Sequence, residues 1–153
     1  MKIEDAQGRL NAAENCLKSW DYAGALLEAE RCLELSVKIL LEKLGISYKS
    51  EKRKIPHDVS DKMPAAFEKL RPSLDPHILD YYRAELARAA VLLKLLTSIK
   101  QQLEYGVEGL AGIKETFDST FSKELTERIV GLTRSAHWRI YDLISKWEQS
   151  SRH

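Results

Sequence analysis

The sequence has few cysteines, almost no net charge and no long apolar run, and each shortage excludes a class of protein. Its two cysteines, Cys16 and Cys32, fit a reducing compartment better than a disulfide-stabilised fold. In an antiparallel helix pair that turns at Trp20-Asp21, they would be offset by about six residues, or about 9 Å, which is too far for a disulfide. The cysteines and the four histidines also lack the paired spacing of metal ligands, so we expect no metal and no cofactor.

The formal net charge is only +1, so no global field attracts the chain to nucleic acid or membrane, and any basic site must be local. The segment 1–7 contains acids where a signal peptide would have an apolar run. No apolar stretch approaches the ~20 residues of a membrane span. We therefore expect a cytoplasmic protein without membrane contact.

What the sequence does have is the composition of one globular domain. It has 153 residues, of which 44% are apolar and 31% are charged. This length allows a sizeable core, and this apolar fraction excludes a disordered chain.

The stretch from Asp21 to Gly45 is predicted to be the central helix. Asp21 suits the position that caps a helix at its N-terminus, and Gly45 suits the left-handed position that ends one. Apolar residues recur at spacings of three and four and predict a buried face: Tyr22, Leu26, Ala29, Leu33, Val37, Leu40 and Leu44. Further leucines and an isoleucine widen this face, which indicates a helix with neighbours on more than one side.

Three other long helices are predicted, at about 2–19, 76–104 and 118–149, with short helical pieces between 57 and 70. The link Trp20-Asp21 is so short that the first two helices must be antiparallel neighbours. The first helix has a narrow apolar stripe made of Ile3, Ala6, Leu10, Ala13, Leu17 and Trp20. The core face of the third is predicted to comprise Leu79, Tyr82, Leu86, Ala89, Leu93, Leu96 and Leu103.

Two loops carry possible binding signals. The segment 46–56 is basic, and Lys52, Arg53 and Lys54, with His57 just after it, are candidates for contacts with phosphate. Because an acidic residue interrupts the run and no aromatic residue is placed for stacking, we favour a solvated charged loop. The segment 105–112 has three glycines, but no strand before it and no Gly-Lys-Ser/Thr after it, so we interpret it as flexible chain.

The last helix is predicted to have two apolar faces. Its inward face is expected to comprise Phe121, Leu125, Ile129, Leu132, Ala136, Ile140, Leu143 and Trp147. Its outward face is expected to comprise Val130, Arg134, His137, Trp138, Tyr141 and Ile144. Exposed aromatic residues beside arginine are typical of partner surfaces, so we predict a subunit contact through Val130, Trp138, Tyr141 and Ile144. The alternative is that this helix contacts two neighbours within its own bundle.

Four short motifs, taken in order, resemble the HEPN family (higher eukaryote and prokaryote nucleotide-binding domains). The first is Asp21-Tyr-Ala-Gly-Ala followed by the segment 29–38, with Glu34 and Lys38. The second is Pro56-His57-Asp58-Val59-Ser60, the third is Glu104-Tyr105-Gly106, and the fourth is the long closing helix. The resemblance covers about residues 2–148, which we take as a single domain, and leaves 149–153 as a C-terminal tail.

This resemblance implies an all-α fold, an up-and-down bundle of four long helices with short accessory helices, usually as a homodimer. Many members work beside minimal nucleotidyltransferases in toxin–antitoxin pairs, and others are metal-independent ribonucleases. The nuclease members have arginine, four to six residues, then histidine near the last helix. This sequence departs from that pattern, because only two residues separate Arg134 from His137.

Arg134, His137 and Tyr141 would nevertheless share one helical face at spacings of three and four. Such a trio could contact phosphate, and a histidine can act as a base near neutral pH. We favour the interpretation that Arg134 and His137 are surface residues at a dimer seam. The preferred function is a non-catalytic binding or partner module, associated with a nucleotidyltransferase or a nucleotide. The alternatives are a ribonuclease toxin with a degenerate Arg134/His137 site and a structural oligomerisation domain.

Overall fold

A computed structural model describes residues 2–48, 59–105 and 123–151 of the chain. The α-helices are α1 (Ile3–Lys18), α2 (Tyr22–Lys43), α3 (Met63–Leu70), α4 (Leu79–Tyr105) and α5 (Lys123–Ser151). Three short 3₁₀ segments, Val59–Lys62, Arg71–Ser73 and Pro76–Ile78, lie on either side of α3. The three described ranges contain no strand, so the all-α prediction is confirmed. The two loops singled out in the sequence lie almost entirely outside the described residues.

Helix α2 is the centre of the core, as predicted. It contacts α1, α4 and α5, and 13 of its residues are buried, including the fully buried Leu33 and Leu40. The carboxylate of Asp21 accepts a hydrogen bond from the backbone N–H of Gly24 at 2.9 Å, which caps the helix. A side chain at Gly24 would collide with that carboxylate. The predicted cap at Asp21 is therefore confirmed, and it requires a glycine three residues later.

The ends of α1 and α2 use the same backbone turn with different residues. Gly45 ends α2 with φ 71°, and the N–H of Ile46 donates to the carbonyl of Leu41 at 2.9 Å. Trp20 ends α1 with φ 63°, and the N–H of Asp21 donates to the carbonyl of Cys16 at 2.9 Å. The left-handed conformation costs a non-glycine residue on the order of 1 kcal/mol. The prediction that Trp20 extends the apolar stripe of α1 is wrong, because this turn leaves its side chain 71% exposed.

Pairs of contacting residues give the relative directions of the long helices. The ion pair of Arg9 with Glu28 joins residues on either side of the α1–α2 turn, as in an antiparallel pair. Ser36 contacts His137 and Lys43 contacts Glu148, so α2 and α5 run parallel. These directions fit the alternation of an up-and-down bundle. Helix α5 extends to Ser151 and includes much of the segment that we had assigned to a tail.

The core face of α4 matches the prediction, whereas that of α5 matches it only in part. On α4, Tyr82, Leu86, Ala89, Leu93 and Leu96 are buried. On α5, the predicted inward residues Ile129, Ile140 and Leu143 are buried, but Leu125 and Leu132 are exposed. The predicted outward residues Val130, His137 and Ile144 are also buried. The prediction was wrong at the exposed leucines and at the buried outward residues, because polar residues occupy the centre of the buried face. These residues are Thr126, Thr133 and His137.

Candidate functional site

The basic-loop candidates Lys52, Arg53, Lys54 and His57 lie outside the described residues. The remaining predicted site residues are on α5. They belong to two different environments, a buried one around His137 and an exposed one around Arg134.

His137 is fully buried between α1, α2 and α5. Its Nδ1 lies 2.9 Å from the hydroxyl oxygen of Ser36, and its Nε2 lies 3.2 Å from Oε1 of Gln7. Burial lowers the pKa of the imidazole below its ordinary value, so the ring is neutral near pH 7. The hydroxyl of Ser36 donates to the carbonyl of Cys32 at 2.8 Å, so a neutral ring with its proton on Nδ1 donates to Ser36, and Nε2 faces the side-chain amide of Gln7. The prediction of a surface histidine at a dimer seam is therefore wrong.

Arg134 lies on the exposed side of α5, where it forms an ion pair with Glu14 of α1. Its Nη2 and Nε lie 2.6 Å and 2.8 Å from the same carboxylate oxygen. The guanidinium is thus directed towards α1 at the surface, while the imidazole of His137 is directed into the core. The structure does not bring Arg134 and His137 together in one open site.

The aromatic candidates Trp138 and Tyr141 do lie at the surface. Both side chains are more than two-fifths exposed, and their rings meet edge to face with centroids 5.7 Å apart. The other two residues of the predicted contact, Val130 and Ile144, are buried in the chain's own core. They pack within the monomer because α5 lies against α1 and α2 with that side. Only the aromatic half of the predicted patch is therefore available to a partner.

A charged cluster joins α2 to α4 and contains Glu34 and Lys38, the charged pair of the first HEPN-like motif. Glu34 pairs with Lys38 at 3.0 Å, and the buried Glu30 lies 3.6 Å from Nζ of Lys100. Burial, and then the neighbouring charge of Glu34, raises the pKa of Glu30 to about 7. Burial also disfavours the charged form of Glu34, but the hydrogen bond and charge of Lys38 outweigh it and lower the pKa of Glu34. One of the two carboxyl groups is therefore partly protonated near neutral pH.

Two surface features were missed by the sequence analysis. The first is an apolar groove of about 510 Å³ between α4 and α5. Its most exposed apolar side chains are Val91, Leu95 and Leu132, and charged residues on one margin include Glu85 and Arg88. The sequence signal was Leu132, which had been assigned to the core.

The second feature is a cleft of about 300 Å³ between the end of α1 and the first described turn of α5. It contains three cations, two carboxylates and the exposed Trp20. The lining residues are Glu14, Leu17, Lys18, Trp20, Lys123, Glu127 and Arg134. The available sequence signal was the position of Trp20, a large aromatic residue in the short link between two predicted helices, directly before the capping Asp21.

Within the described ranges, no group of three histidine, cysteine, aspartate or glutamate residues is arranged to hold a metal ion. Cys16 and Cys32 form no disulfide with each other, and burial raises the pKa of the Cys32 thiol to about 12. None of the helices described is long and apolar enough to span a membrane.

A family model described as the HEPN domain matches residues 2–56. The predicted resemblance to the HEPN domain family is confirmed over that segment, which includes α1, α2 and the Glu34–Lys38 pair. No curated protein and no solved structure matches the chain. A HEPN domain indicates a function related to nucleotides or RNA.

Proposed function

We propose that this chain is a cytoplasmic, HEPN-type binding or partner module without nuclease activity of its own. The observation that carries the proposal is the position of His137. A general base must come within hydrogen-bonding reach of the proton that it removes. The imidazole of His137 is fully buried, and both of its nitrogens already have partners in Ser36 and Gln7.

The state of Arg134 supports the same conclusion. Its guanidinium is held by Glu14, so a substrate phosphate would have to compete with a carboxylate at 2.6 Å. For the ribonuclease alternative, His137 would have to leave the core and give up two hydrogen bonds. No observation favours that rearrangement.

The proposed partners are a nucleotide, a minimal nucleotidyltransferase and a second copy of the chain. The α4–α5 groove supports a protein contact, because exposed apolar side chains of two helices, Val91, Leu95 and Leu132, lie next to one another there. The charged residues at its margin fit the polar rim that surrounds the apolar centre of an interface. A purely structural oligomerisation domain would use the same groove but would bind no nucleotide.

The experiment has two arms on purified protein. In the first, single-stranded RNA is incubated with the protein in a chelator, and we expect it to remain intact. Cleavage that is lost in both Arg134→Ala and His137→Ala would overturn the proposal, provided that each variant is folded. Cleavage that both variants retain would indicate a contaminating nuclease or a site elsewhere in the chain.

The second arm measures binding. Thermal unfolding is followed with nucleotides at millimolar concentration, where a ligand at 100 times its Kd stabilises the fold by about 2.7 kcal/mol. A companion nucleotidyltransferase is tested by co-purification from cells that express both proteins. Failure of both measurements would leave only the structural alternative. Growth arrest on expression, relieved by the companion protein, would instead favour the toxin.

A further inference from the structure

Trp20 combines an unfavourable backbone conformation with an exposed side chain. Among the residues that the structure describes, Trp20 is the only non-glycine residue with a positive φ. Its side chain is 71% exposed. At the equivalent position after α2 the chain uses Gly45, the residue that this conformation favours. The steric cost at Trp20 is not offset by burial of its ring. Such outliers cluster at ligand-binding positions, which directs attention to the surroundings of Trp20.

The surroundings of Trp20 form the α1–α5 cleft, and their charges are unevenly paired. Arg134 is held by Glu14, and Lys123 lies 3.8 Å from Glu127. Lys18 has no carboxylate within 4 Å among the described residues of the chain. Among the described residues, the cleft therefore has one cation without a carboxylate partner, and it lies beside an exposed aromatic ring.

Lys123 extends the positive charge to the ring itself. Its Nζ lies 5.9 Å from the centroid of the Trp20 ring, within the range of a cation–π contact. An indole surface with ammonium groups next to it matches the two chemical halves of a nucleotide. A base stacks on the aromatic face, and the phosphate is neutralised by the amines.

We infer that the α1–α5 cleft binds a mononucleotide, with its base stacked on Trp20 and the phosphate on Lys18 and Lys123. The inference rests on the proposed function and deepens it by naming the site and the ligand class. A volume of about 300 Å³ is at the lower end for ligand sites, which run from roughly 300 to 1,000 Å³, and fits one nucleotide. Glu14 and Glu127 would repel an extended polyphosphate or RNA backbone, which favours a single phosphate group.

The test measures the affinity for AMP by calorimetry in the wild type and in Trp20→Gly. Glycine suits the positive φ of this turn, so the variant should unfold at the same or a higher denaturant concentration. Its affinity for AMP should fall about tenfold, the size of effect expected for a lost base-stacking contact. Trp20→Phe, which keeps an aromatic ring, should lose less. Lys18→Glu should weaken binding as well, while Tyr81→Ala, an exposed aromatic residue outside the cleft, should have no effect.

The ligand itself is dissected with adenosine, ribose 5-phosphate and a short oligoadenylate. Both fragments should bind more weakly than AMP, and the oligonucleotide should bind no better than AMP. Tighter binding of the oligonucleotide would overturn the mononucleotide assignment in favour of an RNA end. Equal binding of ribose 5-phosphate and AMP would overturn the stacking role of Trp20.

Two outcomes separate this inference from the proposed function. If AMP binds equally well to wild type and Trp20→Gly, the nucleotide lies elsewhere, and the cleft assignment is wrong while the binding-module proposal stands. If the wild type binds no nucleotide at millimolar concentration, the cleft inference is overturned. The proposed function is then decided by the RNA-cleavage and protein-partner measurements.

Discussion

The hydroxyl oxygen of Ser36 lies 2.9 Å from Nδ1 of His137, and this contact joins α2 to α5 inside the core. Ser36 also lies 2.8 Å from the backbone carbonyl oxygen of Cys32, one turn earlier on α2. A histidine that the sequence presents as a candidate base is therefore part of the interior. Its partners explain how a polar ring is accommodated there, since buried polar groups are tolerated when they are hydrogen-bonded.

His137→Ala is expected to destabilise the fold by about 2–4 kcal/mol, because it opens a cavity and leaves two polar partners without the ring. Ser36→Ala should cost about 1 kcal/mol, the typical contribution of one hydrogen bond. Urea unfolding followed by circular dichroism measures both values. Arg134→Ala, on the exposed side of the same helix, should stay within about 1 kcal/mol of the wild type. A His137→Ala protein as stable as the Arg134→Ala protein would contradict the buried position.

The pH dependence of stability should reflect His137. Its pKa in the folded protein is below the ordinary value of about 6.5, so below that pH the unfolded chain binds more protons than the folded one. Stability is then fully present above about pH 6.5 and falls as the pH decreases. In His137→Asn this acid-side loss should be smaller. Unfolding midpoints measured between pH 5 and 8 for both proteins test this, and parallel curves would contradict it.

Glu30 should give a slope of the opposite sign. Its pKa is raised to about 7 in the folded protein, so between its ordinary value and pH 7 the folded chain binds the additional proton. Its contribution to stability is present at low pH and is lost as the pH rises through 7. Glu30→Gln keeps a neutral side chain at all pH values and should therefore gain stability relative to the wild type as the pH increases. The double variant with His137→Asn should show the flattest profile.

Leu33→Ala should cost ~2–5 kcal/mol, because Leu33 is fully buried in the centre of α2. The matched control is Leu125→Ala, the same substitution at a position of α5 that is close to half exposed. That change should stay within about 0.5 kcal/mol of the wild type. A loss below ~1 kcal/mol at Leu33 would mean that α2 is not the centre of the core.

The sequence was sufficient to predict α2 and its neighbours because local and tertiary signals agree there. Asp21 and Gly45 are the residues that a helix start and a helix end require, and the apolar period between them is unbroken. The same agreement holds on α4, where the predicted face from Tyr82 to Leu96 is buried.

Helix α5 could be oriented only in part from its sequence. Periodicity assigns the core to leucines, but Thr133 and His137 take central core positions once other helices supply their partners. Thr133 donates to the carbonyl of Ile129 within its own helix, so its burial costs little. The contacts of His137 span about a hundred residues of chain or more, and no local pattern reveals them. For this reason His137 was wrongly predicted to lie at the surface. Trp20 was wrongly predicted to lie in the apolar stripe of α1, because its exposure depends on the conformation of the turn.

The last prediction is that the α4–α5 groove forms the contact between two copies of the chain. Val91 and Leu132 are 68% and 59% exposed, and they lie on two adjacent helices. Trp138 is less exposed, and at about 100° per residue it projects about 120° away from Leu132 on α5. One flat interface cannot cover both surfaces, and the groove offers the more continuous apolar area. A two-fold dimer would place the groove against its own copy.

Sedimentation of three proteins at matched concentration decides between these surfaces. The wild type should be a dimer at tens of micromolar, Leu132→Lys should be a monomer, and Trp138→Ala should remain a dimer. A charge buried in an apolar contact weakens it by well over the 1.4 kcal/mol that corresponds to a tenfold change in Kd. The reverse result, in which only Trp138→Ala dissociates, would place the contact at Trp138 and Tyr141. A monomeric wild type would show that neither surface joins copies of this chain, and the groove would then be left for the proposed protein partner.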